Sequence, residues 1–434
     1  MSIDANPSIK EIATTFGDTP PYSMSELYGL NFSSGNAVAS GTIRLSEFRN
    51  KTVEFILDDT KILASDGEAN DNFGRSVSIS NDGSTAIVGA DRHNSRRGAA
   101  YIFEKVNGVW TQMAKLTASD GLISDNFGQH VSISNDGSTA LVGAIGDDTS
   151  TGSAYIFEKG GSGWSNMTQT AKLTASDGVD YDRFGRVSIS NDGSITAIMG
   201  AGAVYIFEKG VSGWSNTTET AKLTASGAGL SASISNDGSM VIMGATGAAY
   251  IFEKGGSGWS SVTETAELTA SDGVSSDEFG QSVSISNDGS TALVGAYGDD
   301  SSTGSAYIFE KGGSGWSNMT ETAKLTASDG LGGDYLGHGV SISGDGTTAV
   351  LGAYRDGSST GSAYIFDKGG SGWSNMTETT KLTAYDGQSN DQFGYSVSIS
   401  NDGSTTIVGA YKDDVSSKSE RGSAYIYEKT YFVN

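Results

Sequence analysis

The chain of 434 residues contains no cysteine, three prolines and three histidines. The missing cysteine excludes disulfide bonds and thiol catalysis. The histidines, His93, His130 and His338, lie in no recognisable nucleophile motif, so the sequence gives no support to an activated-nucleophile mechanism. No stretch has the apolar length of a membrane-spanning helix. We therefore expect neither a disulfide scaffold nor insertion into a membrane.

Positive charge is also scarce, because 27 Lys and Arg face 51 Asp and Glu, which gives a formal net charge of −24. Nucleic acids and anionic membranes are themselves negative, so we expect neither as a partner. Glycine, in contrast, is abundant at 61 residues, as suits a chain with many tight turns. The composition is typical of an extracellular or particle-borne β protein.

Seven copies of one unit of roughly 50 residues fill the chain from about residue 61 to residue 434. Each copy contains four short segments of the types VSIS, TALVGA, AYIFEK and AKLTA, separated by turns rich in Gly, Asn and Asp. This pattern predicts one four-stranded antiparallel sheet per copy. Seven such sheets arranged radially make an all-β fold, a seven-bladed β-propeller.

The two ends of the repeat array predict how the ring closes. The seventh copy stops at AYIYEKTYFVN without a fourth strand, whereas a KLTA-like strand at residues 61–64 precedes the first copy. If that N-terminal strand completes the last blade, both terminal edges are buried. We therefore divide the chain into a propeller at residues 60–434 and a small N-terminal segment with short helices at residues 1–59.

A pair of dipeptides recurs in the repeats. Phe-Gly, as at Phe127, is followed downstream by Gly-Ala, as at Gly143, in five of the copies. This pattern resembles the FG-GAP repeat known from the propellers of integrin α-subunits and from many surface proteins. Copy four has lost the Phe-Gly dipeptide, and copy six has Leu336 in place of the Phe. The resemblance implies a propeller that serves recognition or adhesion.

We do not expect the calcium site of integrin-type repeats at the corresponding positions of this chain. In those repeats a carboxylate-rich loop joins the first two strands of a blade, whereas the corresponding link here is Asn-Asp-Gly, as at residues 81–83. Such a turn does not offer the six or more oxygens that calcium requires. We expect no cofactor, with calcium left open at other acidic positions such as Asp120 and Asp125.

Residues that recur in every copy indicate a scaffold. The spaced Asp pairs repeat around the ring, whereas catalysis needs one acid and one base tuned differently from their neighbours. We therefore expect no catalytic residue and no enzymatic activity. Tryptophan recurs once per copy, from Trp110 to Trp373, and this favours packing within the blade, with stacking on a sugar as the alternative.

The N-terminal segment differs from the repeats. The stretches IKEIATTFGDTPPYSMSELYG and SGTIRLSEFRNKT resemble, in order, a short module near the ends of tailed-bacteriophage virion proteins. The resemblance implies that the segment docks onto other virion proteins; the alternative is a cap on the propeller itself. The residues expected at the virion contact are Ile9, Ile12, Phe16, Leu27, Tyr28, Ile43, Leu45 and Phe48.

One face of the propeller varies more than the other, as expected of a binding face. It carries the connections between second and third strands and the loops between blades, and we call it the variable face. In copies three and four the connection between the second and third strands is shorter, which predicts a notch at Ala201, Gly202, Thr246 and Gly247. Copies one and seven carry basic residues there instead, namely Arg92, His93, Arg96, Arg97, Lys412, Lys418 and Arg421.

These basic residues predict a binding site for an anionic glycan or an acidic protein surface; solvated charges neutralised by neighbouring Asp are the alternative.

We expect a virion structural protein on the particle exterior, present in multiple copies and mediating host-surface attachment, for example in a tail fibre or spike. One alternative is a connector or decoration protein of the capsid or tail. If the N-terminal resemblance is accidental, an extracellular integrin-like adhesin is expected. A glycan-cleaving enzyme would need two carboxylates that break the repeat pattern.

Overall fold

The computed structural model describes residues 53–260, 262–415 and 418–433, and over these ranges the chain forms seven antiparallel sheets. The predicted virion-docking residues between Ile9 and Phe48, and the short helices predicted around them, lie outside the described residues. Within the described ranges, no helix has the length and apolar character needed to cross a membrane.

The first three blades each use four consecutive strands. Strand β1 (Val53–Ile62) comes before them in the chain and belongs to the last blade. The strands of blade one are β2 (Val77–Ile79), β3 (Thr85–Ala90), β4 (Ala99–Val106) and β5 (Val109–Leu116). Those of blade two are β6 (Phe127–Ile133), β7 (Thr139–Ala144), β8 (Ser153–Glu158) and β9 (Ala171–Leu173). Those of blade three are β10 (Arg186–Ile189), β11 (Ile195–Gly200), β12 (Ala203–Glu208) and β13 (Ala221–Leu223).

Blades four to six follow the same order, with two additional short strands that join neighbouring blades. Strand β21 (Met319–Thr320) pairs in parallel with the outer strand of blade four, and β26 (Met376–Thr377) does so with that of blade five. The remaining strands are β14 (Gly229–Ile234), β15 (Met240–Ala245), β16 (Ala248–Glu253) and β17 (Ala266–Thr269); β18 (Phe279–Ile285), β19 (Thr291–Ala296), β20 (Ser305–Glu310) and β22 (Ala323–Thr326); and β23 (Gly339–Ile342), β24 (Thr348–Ala353), β25 (Ser362–Asp367) and β27 (Thr380–Leu382).

Blade seven closes the ring. It consists of β28 (Phe393–Ile399), β29 (Thr405–Ala410), β30 (Ser423–Val433) and the N-terminal strand β1. Strand β1 pairs antiparallel with β30 from Val53 opposite Val433 to Ile62 opposite Ala424. The predicted seven-bladed fold is confirmed, and the closing strand begins at Val53, before the boundary expected at residue 60.

Short turns connect the second and third strands on the variable face. Inside the turn of blade two, Asp148 and Thr149 have φ of 48° and 59°, so the backbone is left-handed there. A 3₁₀ turn at Ser275–Asp277 precedes blade five. The four-residue turns that connect a second to a third strand are His93–Arg96, Asp147–Ser150, Asp299–Ser302 and Asp356–Ser359.

The hydrophobic core lies between adjacent blades rather than within them. Seven clusters of buried residues each combine side chains from two neighbouring blades. Phe127 of the FG dipeptide is fully buried and packs edge-on against Tyr155 and Phe157, with ring centroids 5.5 and 5.9 Å apart. These two rings belong to the same blade as Phe127, whereas the buried cluster around Phe127 also contains Ile102 and Leu116 of blade one. The FG position therefore holds one blade against the next.

A ring of ion pairs also passes through all seven blades. In each pair, the Lys that directly follows the Glu or Asp near the end of the AYIFEK-type segment lies 2.6 to 3.2 Å from an acidic side chain of the preceding blade. The pair between Lys105 and Glu428 joins blade one to blade seven, so the ring is closed. The other pairs are Lys159–Glu104, Lys209–Glu158, Lys254–Glu208, Lys311–Glu253, Lys368–Glu310 and Lys429–Asp367.

Candidate functional site

An axial channel is surrounded by the innermost strand of every blade. On the face of the Asn-Asp-Gly turns, asparagine side chains span its mouth: Asn135 Nδ2 donates to Asn236 Oδ1, and Asn287 Nδ2 donates to Asn401 Oδ1 at 2.7 Å. Backbone bonds also link these turns, as between the N–H of Asn401 and the carbonyl of Asn81 at 3.0 Å. The candidate site lies at the other mouth, on the variable face.

Four arginines line a cavity of about 320 Å³ on the variable face, and we call it the arginine cavity. Arg75 directly follows the FG dipeptide of copy one, and Arg92 and Arg96 lie in the connection between β3 and β4. Arg183 precedes the FG dipeptide of copy three. Local sequence differences in copies one and three therefore bring four guanidinium groups together on a chain whose net charge is −24.

Two buried acceptors also line the arginine cavity. Asp91 and Asn72 are 6% and 1% exposed, and the Oδ1 atom of each has no hydrogen-bond partner among the described residues. Burial raises the pKa of the Asp91 carboxyl, although the charges of Arg75 and Arg92 act in the opposite direction. Buried polar atoms of this kind normally have a partner, so both positions suit a ligand that offers hydrogen-bond donors.

The predicted basic patch is only partly assembled. Arg92 and Arg96 lie together in the cavity. Arg92 Nη1 is also 3.7 Å from Glu420 Oε2, and the exposed Arg97 lies outside the cavity lining. Sequence reasoning missed Arg75 and Arg183, which belong to other loops of the repeat; their departure from the repeat consensus was the only local sign.

The remaining predicted basic residues have partners of their own. His93 Nδ1 lies 2.8 Å from Asp71 Oδ2, and Lys418 Nζ lies 2.9 Å from Glu68 Oε2. Arg421 Nη2 donates to the Ala64 carbonyl at 2.8 Å. The Lys412 ammonium lies 5.8 Å from the centre of the Tyr411 ring. The alternative of locally neutralised charge thus describes Lys418, His93 is held by Asp71, and Arg421 ties the variable-face loop to the end of the closing strand.

The shortened connections of blades three and four are two-residue hairpin turns. Ala201 and Gly202 link β11 to β12 with φ of 49° and 75°. Thr246 and Gly247 link β15 to β16, and both are exposed. These turns lack the four-residue connection seen in blades one, two, five and six, and the notch itself stays a prediction.

A second feature of the same mouth is a group of tyrosines, which we call the tyrosine wall: Tyr297, Tyr335, Tyr354, Tyr395 and Tyr411. The rings of Tyr395 and Tyr411 are 4.5 Å apart, and those of Tyr354 and Tyr395 are 5.3 Å apart. The Arg75 guanidinium lies 4.4 Å from the centre of the Tyr395 ring, a cation–π distance. Arg75 therefore joins the tyrosine wall to the arginine cavity.

The two histidines near the mouth are neutral at physiological pH. Burial, together with the charges of Arg186 and Arg75, lowers the pKa of His130 to about 3. Burial and Arg75 lower the pKa of His338 to about 4, although its bond to the Tyr395 carbonyl opposes the shift. These two histidines therefore add no positive charge to this mouth between pH 5 and pH 8, whereas its arginines remain charged.

A lysine ammonium group neutralises the first member of each recurrent acidic pair. Lys172 Nζ lies 2.6 Å from Asp120 Oδ2 and 2.8 Å from Asp147 Oδ2. Asp125, the other member of the spaced pair, closes a turn by accepting from the Leu122 N–H at 2.5 Å. Across the described ranges, no cluster of three or more His, Asp and Glu has an arrangement suited to a metal ion.

The tryptophans are packing residues, so the alternative of sugar stacking was wrong. All six are buried, from 1% exposed at Trp259 to 8% at Trp110. Where the Nε1 group is paired, it donates to the carbonyl of the Gly in an Asn-Asp-Gly turn, as from Trp164 to Gly137 at 3.0 Å. A buried ring is not available to stack on a ligand.

Comparison with known families gives one match. A family model described as the FG-GAP repeat matches six segments, residues 57–103, 110–157, 167–207, 262–309, 319–366 and 376–427. Together they cover more than half of the chain, and the stretch between the third and fourth segments contains copy four, which lacks the Phe-Gly dipeptide. No curated protein matches the sequence.

Proposed function

The chain belongs to the FG-GAP repeat family, and from that premise we propose that it is a non-enzymatic recognition propeller of a bacteriophage virion. Its N-terminal segment, residues 1–59, anchors it to other virion proteins. Its variable face projects from the particle, as in a tail fibre or spike, and attaches to anionic groups on the host surface. The observation that carries the proposal is the cluster of Arg75, Arg92, Arg96 and Arg183 around one cavity.

The charge distribution supports anion recognition. On a chain with a net charge of −24, four guanidinium groups converge on one cavity that contains a single carboxylate, Asp91. Many other basic side chains pair with acidic ones, as in the ring that includes Lys105 and Glu428. Guanidinium groups bind carboxylate, sulfate and phosphate through paired hydrogen bonds. The cavity is thus suited to an anionic ligand although the molecule as a whole is acidic.

The course of the closing strand supports an anchor on the opposite side. Strand β1 ends at Ile62 near the variable face, where Arg421 holds the carbonyl of Ala64. Its first residue, Val53, pairs with Val433 at the far end of β30, toward the face of the Asn-Asp-Gly turns. Residues 1–52 therefore join the propeller on the side away from the arginine cavity. An anchor and a receptor site need this separation in order to work at the same time.

Binding of the full-length protein to host cells tests the proposal. We expect replacement of Arg75 and Arg92 by Ala to weaken binding at least about tenfold, because an anionic ligand loses two charged partners. Arg97→Ala is the matched control, since Arg97 is exposed and outside the cavity lining. Wild-type binding by the double variant would contradict the proposal. Cavity-dependent binding to capsid or tail proteins alone would instead support a connector or decoration protein.

A further inference from the structure

The tyrosine wall breaks the repeat in the blades where it occurs. Tyr297, Tyr354 and Tyr411 directly follow the Gly-Ala dipeptide of copies five, six and seven. The same position holds Asp91 in copy one and Ile145 in copy two. Since blades one and two form without tyrosine at this position, the four-stranded sheet itself does not require it.

Four of the five rings in the wall are also more exposed than the structural tyrosines. Tyr101, Tyr155 and their equivalents in the third strands are buried at 0 to 4% exposure. Tyr354 and Tyr395, in contrast, are only partly buried, and Tyr395 adjoins Arg75 of the arginine cavity, whereas Tyr411 is buried at 7% exposure. Partly exposed aromatic rings at a site are typical of surfaces that bind a ligand with an apolar face.

The arginine cavity adds two chemical requirements. Its guanidinium groups call for an anion, and the unpartnered Oδ1 atoms of Asp91 and Asn72 call for hydrogen-bond donors such as hydroxyl groups. Asp91 itself, and Glu420 near Arg92, reduce the positive charge without cancelling four guanidinium groups. At about 320 Å³ the cavity suits a small group rather than a folded protein surface.

We infer that this mouth binds an acidic saccharide, with its carboxylate or sulfate at the arginine cavity and a sugar ring against the tyrosine wall. A saccharide combines an anion, several hydroxyl donors and a flat C–H face, and so meets all three conditions. An acidic polypeptide supplies the anion but lacks the ring and most of the hydroxyl groups. The inference rests on the proposed function of the same face. It narrows the ligand of that face from an anionic glycan or an acidic protein surface to an acidic saccharide.

The test uses the full-length protein and four probes in a direct binding assay. Oligogalacturonate, polysialic acid and a heparin oligosaccharide are acidic saccharides of different backbone, and poly-L-glutamate is an acidic chain without rings. We expect at least one acidic saccharide to bind more tightly than poly-L-glutamate by roughly tenfold or more. The fully methyl-esterified oligogalacturonate, a saccharide without charge, is expected to bind more weakly than oligogalacturonate if the latter is the ligand.

Variants separate the two halves of the site. Tyr395→Ala and Tyr354→Ala are expected to weaken saccharide binding by roughly tenfold while leaving binding of poly-L-glutamate unchanged. Tyr395→Phe keeps the ring and should retain wild-type affinity, which controls for folding. Arg75→Ala should weaken binding of every anionic probe.

The outcomes distinguish this inference from the proposed function. Arg75-dependent binding of poly-L-glutamate, without tighter binding of any acidic saccharide, would overturn the inference and leave anion recognition in place. Saccharide binding that survives both Tyr→Ala changes would also overturn it. If no anionic probe binds and the Arg75 and Arg92 double variant still attaches to host cells, both proposals fail.

Discussion

At the residue scale, the glycines of the FG and GA dipeptides explain why the two motifs occur together. The GA glycine of one blade faces the FG glycine of the next, and a Cβ on Gly89 would lie 1.9 Å from the carbonyl oxygen of Gly128. The same contact closes the ring, where a Cβ on Gly409 would lie 2.0 Å from the carbonyl oxygen of Gly74. The motif is therefore a contact between blades in which a side chain has no room.

This contact predicts a large effect of one methyl group. Gly89→Ala should lower the free energy of unfolding by about 3 kcal/mol or more, because the added carbon overlaps backbone that has no space to move. In Gly161→Ala the added carbon meets nothing within 4 Å, so we expect a change within about 0.5 kcal/mol. Urea unfolding measures both, and a Gly89→Ala variant as stable as the control would refute the described packing.

A second residue-scale prediction concerns the pH dependence of stability. Burial, with the nearby charges of Asp413 and Asp414, raises the pKa of Asp391 from 3.8 to about 6, although a bond from the Gln388 N–H opposes the shift. The folded state thus holds this proton more tightly than the unfolded state does. Its contribution to stability is present below pH 3.8 and is lost as the pH rises through about 6.

Asp391→Asn should remove this loss, because Asn does not ionise and keeps an acceptor for the Gln388 N–H. Between pH 4 and pH 7, wild type should lose roughly 2 kcal/mol that the variant does not lose. Unfolding midpoints in urea at both pH values give the comparison. A variant with the same pH dependence as wild type would show that Asp391 ionises normally.

At the element scale, strand β1 is the closure of the ring. It contributes ten residues of pairing to β30, and Ile62 at its end is 4% exposed within the core cluster between blades seven and one. Without β1, the edge of β30 would present unpaired N–H and C=O groups, which favour association with other chains. The strand therefore belongs to the propeller although it precedes all other strands in the sequence.

Two truncations test the role of this strand. Deletion of residues 1–52 should leave the thermal unfolding of the propeller unchanged, since the pairing begins at Val53. Deletion of residues 1–62 should lower the melting temperature by roughly 10 °C or produce aggregates through the open edge. Equal melting temperatures for the two truncated chains would rule out closure by β1.

The elements that sequence reasoning predicted are those with local patterns. Alternation along VSIS and AYIFEK, and the missing last strand of copy seven, were sufficient to predict the strands and the closure. The parallel strands β21 and β26 were not predicted, because each has only two residues and pairs with the outer strand of the preceding blade.

The candidate site was harder to predict because its residues are far apart in the sequence. Arg92 and Arg96 were found from a basic loop, but Arg75 and Arg183 join them only through the ring. Arg75 and Tyr395 are in contact although they come from the first and the seventh copy. A single sequence does not show which loops of different copies contact one another around the channel.

At the scale of the whole molecule, the propeller has two unlike ends. Asparagine side chains such as Asn287 and Asn401 bridge the channel at one end, and residues 1–52 join the propeller toward that side. The other end carries the arginine cavity and the tyrosine wall. The ring of ion pairs and the seven cores between blades make the body that holds these ends apart.

This polarity is the basis of the proposed role as an anchored receptor-binding protein, and cryo-electron microscopy of intact virions tests it most directly. We expect residues 1–52 to contact a tail or capsid protein, while Arg75 and the tyrosine wall face solvent. The opposite result would be a propeller whose variable face is covered by another virion protein, or a particle that does not contain the chain. Either finding would contradict the proposed role as an anchored receptor-binding protein.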